Sequence, residues 1–316
     1  MANYIIRRIA ISLLIVFIVS VFSFSLLQLM PGDPARLALG YEASEEDVQS
    51  LREEMNLDKP IVTQYLLWVK DLVHGDLGDS FIYKRPVNEI LAERLPRTVN
   101  IGVLALLVSI PMGVIIGVTC AVKRGKFADQ ILTFLMTVSM GMPVFWVGIL
   151  GILVFAIWLQ VLPIQGYVAP TQDFGQFLLK AVLPVFCMSL GMTAGLTRQT
   201  RTNVLDSINQ DYVLTARANG LPESSVIYKH ALKNALIPVV TIIGMQVRIV
   251  VGGSLLVEQL FNIPGLGSLL TTALNNRDYM IVQNCTLLIS LFTVGANLLV
   301  DIVYGFVDPR IRAKMR

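Results

Sequence analysis

Few side chains in this chain have the type and spacing for covalent chemistry. Its 316 residues hold two histidines, His74 and His230, and three cysteines, Cys120, Cys187 and Cys285. Gly252-Gly253-Ser254 offers a serine of the kind an intramembrane protease would use. Such a serine needs a general base within hydrogen-bond reach, and both histidines fall in polar segments away from the apolar run that holds Ser254. Metal-assisted hydrolysis lacks its ligands for the same reason. The cysteines sit singly inside apolar runs, at a spacing that suits no metal, which predicts buried free thiols. Gly125-Lys126 lacks the earlier glycine and the following hydroxyl of a phosphate-binding loop. These patterns predict a chain that is not an enzyme and binds no metal or cofactor of its own.

Polar groups in apolar surroundings remain. Arg248 falls near the middle of an apolar run that also holds Gln246 and Ser254, and Asp301 sits toward the end of the last run. An arginine at the bilayer centre costs roughly 2.5–3.5 kcal/mol on insertion scales, so Arg248 is expected to face water or a partner. It forms a structural ion pair, or with Gln246 and Ser254 it lines a solute path and attracts a carboxylate. Secondary transporters place ionisable groups at mid-membrane to bind coupling ions; the few found here weigh against that class, which stays open as an alternative.

The elements that position these residues follow from composition. The chain is 54% hydrophobic and 15% charged, with a mean hydropathy of +0.67, whereas a soluble domain carries about a quarter charged residues. A bilayer crossing needs roughly 20 apolar residues. Six runs qualify: Ile9–Met30, Ile101–Val122, Ile131–Val161, Ala181–Thr197, Leu236–Val257 and Ile281–Phe306. The first is too long in its apolar core for a signal peptide and no small-residue cleavage site follows it, so it reads as a retained helix. Arg7, Arg8, Lys123, Arg124, Lys126, Arg198, Arg201, Arg217, Lys229, Lys233, Arg310, Arg312, Lys314 and Arg316 fall on one side of a six-span path. The positive-inside rule then puts both termini in the cytoplasm. The net charge of +3 thus conceals a basic inner face and an acidic outer one, and scattered basic residues do not make a nucleic-acid surface. The expected organisation is a first helix over 1–30, an external helical segment over 31–100, a five-helix core over 101–307 with a cytoplasmic loop at 198–237, and a tail over 308–316.

Local signals fill in this plan. Ser44-Glu45-Glu46-Asp47 reads as a capping-box-like start of a helix running to about Asn56. Ile61–His74 reads as a second external helix ended by Gly75, and Val87–Leu95 as a third. The three would form a cap over the mouth of the core or a docking surface for an external partner. Pro111, Gly113 and Gly117 in the second run, and Gly141, Pro143, Gly148 and Gly151 in the third, allow kinks and close helix approach. Glu258–Tyr279 is too apolar for a solvated loop and is expected to fold back at Pro264-Gly265, as packing or as a gate. Pro111, Pro143, Pro264 and Gly265 are therefore hinge or gate candidates.

Between the fourth and fifth runs lies a polar bracket. Asp206–Asn219 is helix-compatible, with Asn209 or Asp211 as cap. Gly220 stands where a left-handed residue ends a helix, and Pro222 is expected as the first residue of a second helix to Ile237. That helix carries Lys229 and Lys233 one turn apart and meets Pro238. Thr215, Ala216 and Ala218 would offer a small-residue face to a groove on another protein.

The stretch Tyr212-Val-Leu-Thr-Ala-Arg-Ala-Asn-Gly220-Leu, followed by His230-Ala-Leu-Lys-Asn-Ala-Leu-Ile-Pro238, resembles the EAA loop of binding-protein-dependent ABC importer permeases. The form is closest to the dipeptide, oligopeptide and nickel branch. Leu214-Thr215-Ala216 stands where the general consensus has Glu-Ala-Ala, and Leu232-Lys233 where it has Leu-Pro, as is typical of that branch. Pro31-Gly-Asp-Pro34, Leu57-Asp-Lys-Pro60, Gly75-Asp-Leu-Gly78, Gly141-Met-Pro-Val-Phe-Trp146, Pro264-Gly-Leu-Gly267, Arg277-Asp-Tyr279 and Asp301-Ile-Val-Tyr-Gly-Phe-Val-Asp-Pro-Arg310 resemble the family in the same order. The resemblance implies an all-α, polytopic protein of six transmembrane helices with the type I importer permease fold, in the bacterial cytoplasmic membrane and surrounded by its lipid. It implies a second homologous permease, two cytoplasmic ATPase subunits that bind ATP and Mg, and an external solute-binding protein. Asp211, Tyr212, Leu214, Thr215, Ala216, Arg217, Ala218, Gly220 and His230 would then form the coupling helix and its surroundings. The solute would be a di- or oligopeptide, with glutathione or a nickel or other metal chelate as alternatives.

Overall fold

The computed structural model describes residues 2–29, 33–40 and 42–307. Among them the secondary structure is helical, apart from one isolated β-bridge between Asp79 and Pro86. Apolar continuity sets the long elements. Helices α1 (Ala2–Leu29), α5 (Val87–Val122), α8 (Phe174–Ile208) and α13 (Tyr279–Val307) each hold a stretch long and apolar enough to cross a membrane. Helices α6 (Phe127–Gly141) and α7 (Val144–Gly151), the latter prolonged by a π-helical segment at Ile152–Trp158, reach that length only together. Helix α11 (Leu232–Leu260) occupies the expected fifth run. Shorter helices complete the chain: α2 (Pro34–Leu39), α3 (Glu45–Glu54), α4 (Ile61–Val73), α9 (Asp211–Ala218), α10 (Glu223–Ser225) and α12 (Leu266–Asn275).

The third apolar run, expected as one span, is bent by 107° between α6 and α7. Pro143 has no N–H to donate and excludes the residue before it from the helical region. Met142 is accordingly extended (φ −82°, ψ 125°), and Pro143 caps α7 with φ −60° and ψ 137°. Pro111, by contrast, lies inside α5 without interrupting it, as Pro184 does in α8 and Pro238 in α11. Of the proline hinge candidates within the runs, only Pro143 marks an actual break.

The chain divides into two compact units. One comprises Val99–Ile263 with the chain up to Ile9 and from Gly295 onward. Its core gathers Ile101, Ala105, Phe177, Leu183, Met188, Val250, Val257 and Phe261. Helices in a membrane gain little from hydrophobic exclusion and associate where small residues let backbones approach. Gly113 and Gly117 fill that role on α5. A Cβ at Gly117 would lie 2.6 Å from Thr200 Cβ and 2.8 Å from the Thr197 carbonyl oxygen of α8, and one at Gly113 would lie 2.8 Å from Leu196 Cβ.

The other unit comprises Ala10–Thr98 and Pro264–Val294. Its caps follow the local signals. Ser44 Oγ accepts from Asp47 N at 3.1 Å and donates to Asp47 Oδ2 at 2.6 Å, starting α3. Helix α4 stops at His74 and Gly75, whose φ of +83° suits glycine. The expected third helix, Val87–Leu95, is instead the opening of α5, which continues through Pro96. Helix α12 forms the fold-back: Thr98 Oγ1 accepts from Leu266 N at 2.8 Å, and Arg97 Nη1 donates to the Pro264 carbonyl at 3.3 Å. Its Leu266, Leu269 and Ala273 pack with Val87, Ile90, Leu91, Ile281 and Cys285. Pro264 and Gly265 thus sit in a packed corner. Asp278, fully buried, accepts from Ser80 Oγ at 2.5 Å and from Ile281 N at 3.3 Å, fastening the 79–86 turn to the start of α13.

Gly117→Ala is expected to destabilise the purified protein by about 1–3 kcal/mol, because backbone atoms must shift to admit the methyl group. Gly191→Ala, on α8 with nothing within 4 Å of the added carbon, is expected to be neutral or to stabilise by about 0.5–1 kcal/mol. Thermal unfolding of both variants in one detergent measures the contrast.

Candidate functional site

The bracket expected to meet a partner is anchored at its root by a buried carboxylate. Asp129, in the first turn of α6, is 4% exposed. Its Oδ1 accepts from Arg201 Nε at 2.8 Å and from Thr133 Oγ1 at 3.2 Å. Its Oδ2 accepts from Arg201 Nη2 at 2.9 Å and from Gly125 N at 3.0 Å. A two-pronged guanidinium contact of this kind fixes orientation as well as distance. It ties the turn between α5 and α6 to the last turns of α8, the helix that leads into the bracket.

Helix α8 ends at Ile208 with Asn209 as its C-cap, so Asn209 does not start a helix as expected. Gln210 occupies the N-cap of α9 without a side-chain bond, and Asp211 is the first residue of the helix. The end of α9 is closed by a Schellman arrangement. Gly220 N donates to the Arg217 carbonyl at 2.9 Å and Leu221 N to the Ala216 carbonyl at 3.4 Å. Gly220 supplies the left-handed conformation this needs, with φ +76°. Pro222 then precedes α10 as its N-cap, one position earlier than expected, and the chain passes through a π-helical segment at Val226–Ala231 directly into α11. Arg217 spans the turn to Glu223, with Nε–Oε2 at 3.1 Å and Nη2–Oε1 at 2.6 Å. The hydrogen bond and charge of Arg217 hold the Glu223 carboxyl below its ordinary value of 4.5. The clamp therefore persists at neutral pH and is lost as acid takes the pH below the ordinary glutamate range.

This closed bracket has a small core of its own, and that changes which residues can meet a partner. Val213 and Ala216 pack against Val226, Ala231 and Ile208. Ala216 is 7% exposed and is not part of an outward small-residue face. Asp211, Tyr212, Leu214, Thr215, Ala218, Gly220 and His230 are exposed, and Arg217 is half-buried. Thr215 Oγ1 donates to the Asp211 carbonyl at 3.0 Å, so that hydroxyl is engaged locally. Leu214, 53% exposed, and Tyr212, Leu221 and Tyr228 give the bracket exposed apolar and aromatic side chains among its polar ones. Leu221 and Tyr228 were not expected there. Tyr228 lies in the π segment, whose wider turn shifts every side chain out of the 3.6-residue phase on which a sequence reading relies.

Of the predicted solute-path residues, Gln246 and Ser254 are buried. Gln246, on α11, donates through Nε2 to the Met192 carbonyl of α8 at 3.0 Å, with Oε1 buried and unpartnered. Arg248 belongs to α11, and its side chain lies outside the described residues. Asp301 pairs with Arg8 at 2.8 Å and its carbonyl accepts from Tyr4 Oη at 3.2 Å, a structural tie between the two chain ends. Among the described residues no cluster of His, Cys, Asp or Glu could hold a metal.

Residues 113–313 match the family described as the binding-protein-dependent transport system inner membrane component. Residues 1–102 match the N-terminal part of such membrane components. The chain is 38% identical over 312 residues to a probable peptide ABC transporter permease protein of Sinorhizobium fredii, covering 99% of this chain and 100% of that one. It is 39% identical over 318 residues to an oligopeptide transport system permease protein of Bacillus subtilis, covering 98% and 99%. A putative peptide transport system permease protein of Brucella abortus is 39% identical over 312 residues, covering 99% of each. Among solved structures, an amino acid ABC transporter superposes with a TM-score of 0.51 at 14% identity, over 69% of this chain and 94% of that one. This last likeness is one of fold.

Arg201→Ala leaves Asp129 charged and buried without its cation, a change that costs about 3–5 kcal/mol; a drop in the unfolding temperature of the purified protein measures it. Ala216→Trp is expected to unfold the bracket from within, exposing the 211–231 segment to limited proteolysis. Leu214→Ala should leave the digestion pattern unchanged.

Proposed function

The chain belongs to the binding-protein-dependent transport system inner membrane components, and on that premise we propose that it is the peptide-translocating permease subunit of an ATP-driven importer. The reading gives it a second, homologous permease as neighbour, two cytoplasmic ATPase subunits carrying ATP and Mg, and an external solute-binding protein. The solute is a di- or oligopeptide, in keeping with the names of its relatives in Sinorhizobium fredii, Brucella abortus and Bacillus subtilis.

One observation carries the coupling part of this reading: the bracket is closed by its own turn, clamp and core, and it exposes Tyr212, Leu214 and Tyr228. A surface meant to receive force must not deform under it. The Schellman turn, the Arg217–Glu223 clamp and the Val213/Ala216/Val226/Ala231 core provide that stiffness. Tyr212, Leu214 and Tyr228 provide an apolar contact of the kind that dominates binding energy in small interfaces. Motion of the ATPase pair moves the bracket; the bracket is continuous with α8 on one side and α11 on the other, so both helices move with it. Such rigid-body switching between two states needs no tight solute site in the membrane. Specificity then rests with the solute-binding protein.

The test is made on the assembled transporter. Leu214→Asp is expected to weaken association with the ATPase subunits by at least about 2 kcal/mol, roughly 30-fold, and to abolish ATP-dependent peptide uptake while the permease stays folded. Full uptake in that variant, or ion-gradient-driven uptake by the purified chain alone, overturns the proposal.

A further inference from the structure

Helix α4 has two opposite faces, and only one of them is used within the chain. Gln64, Leu67, Trp68 and Asp71 point into the second unit, where they line a cavity of about 350 Å³. On the opposite side Val62, Leu66 and Val73 are 71%, 60% and 78% exposed, and Val69 is half-buried. At 3.6 residues per turn these four fall within a roughly 60° arc, a continuous stripe down the helix. No residue of α4 is fully buried. An apolar stripe left open on a polar-flanked helix marks an interaction surface.

What covers the stripe follows from where α4 touches α1. Tyr65 Oη lies 2.8 Å from Ser20 Oγ, and Gln28 Nε2 donates to Gln64 Oε1 at 2.9 Å. Phe24 meets the Tyr65 ring edge-on at 5.5 Å and the Trp68 ring at 5.8 Å. Ser20 and Phe24 belong to the apolar stretch Tyr4–Ser25 of α1. The apolar sequence runs on through Leu26, Leu27 and Leu29 to Met30, so the contact with α4, from Gln28 to Ser20, lies about two to ten residues, roughly 3–15 Å of helix rise, inside the end of that run. An amphipathic helix resting in the headgroup and acyl boundary buries its apolar face by about 5–10 Å, a depth within that contact. Tyr65 and Trp68 are also the side chains enriched at that level, apolar in body with a polar tip. The exposed Leu13 and Phe17 lie deeper along the same face of α1 as Ser20 and Phe24 and extend that face toward the hydrocarbon.

We infer that α4 is not a freely solvated part of an external cap but an interfacial helix, seated on the lipid bilayer through Val62, Leu66, Val69 and Val73. Thr63 and Lys70, both exposed on the flank of the stripe, face headgroups and water. The helix thereby fixes the height of the second unit against the membrane, whatever solute the protein handles.

Site-directed spin labels on the full chain in lipid nanodiscs, alone and with its partner subunits, test this. Val62→Cys, Leu66→Cys, Val73→Cys, Thr63→Cys and Lys70→Cys are labelled one at a time; the native cysteines are buried. Collisions with oxygen, which partitions into lipid, should exceed those with a water-soluble nickel chelate at positions 62, 66 and 73. The ratio should reverse at 63 and 70. Nickel-dominated collisions at all five positions would show a solvated helix, and loss of both reagents at the stripe would show a protein surface covering it. Either result overturns the proposal.

Discussion

A charge withdrawn from water is the constraint on which the first unit turns. Asp129 has four donors around its two oxygens, two of them from one guanidinium. A buried ion pair adds little net stability over an apolar packing of the same shape, because both charges must first be desolvated. What it adds is geometry. Gly125, the start of α6 and the end of α8 can meet in one arrangement that satisfies every lone pair, and the loop that follows α8 inherits that arrangement. The bracket is thereby carried on a fixed root.

Above that root the helices are held by close approach. Gly113 and Gly117 bring α5 within backbone contact of α8, so the contact is set by hard surfaces with little tolerance. Helices packed in this way move as units, since a small slide meets a steric wall and a larger one finds another seat. The second unit is built differently, from short capped helices and side-chain hydrogen bonds such as those of Ser80 with Asp278 and Thr98 with Leu266.

Much of this was legible in the sequence wherever the determinant is local. Ser44 capped its helix, Gly75 and Gly220 took left-handed backbones, and Gly113 and Gly117 met a neighbouring helix, because each outcome depends on a few adjacent atoms or on the absence of a Cβ. The family resemblance, carried by short motifs along the chain, is matched by the family models and the full-length relatives. The misses have a common physical source. Val87–Leu95 reads as a helix of its own outside the second apolar run, yet backbone hydrogen bonds run on regardless of where apolar side chains begin, so it is the opening of α5. Ala216 looked like a docking residue because it is small, and it proved small because it is buried. Tyr228 was not singled out, because it lies in a π segment that no periodicity announces.

The corner at Met142-Pro143 carries one more implication. A helix that stops leaves its last four carbonyls without partners in the helix, and the next helix begins with amides in the same condition. Hydrocarbon cannot hydrogen-bond to either, so non-helical backbone at membrane depth survives only against protein or beside water. Met140, Phe145 and Trp146 around this corner are nonetheless exposed in the single chain. The open amides and carbonyls of such a corner suit water or protein and not lipid, so the break at Pro143 gives this apolar run a polar spot that an unbroken helix would lack.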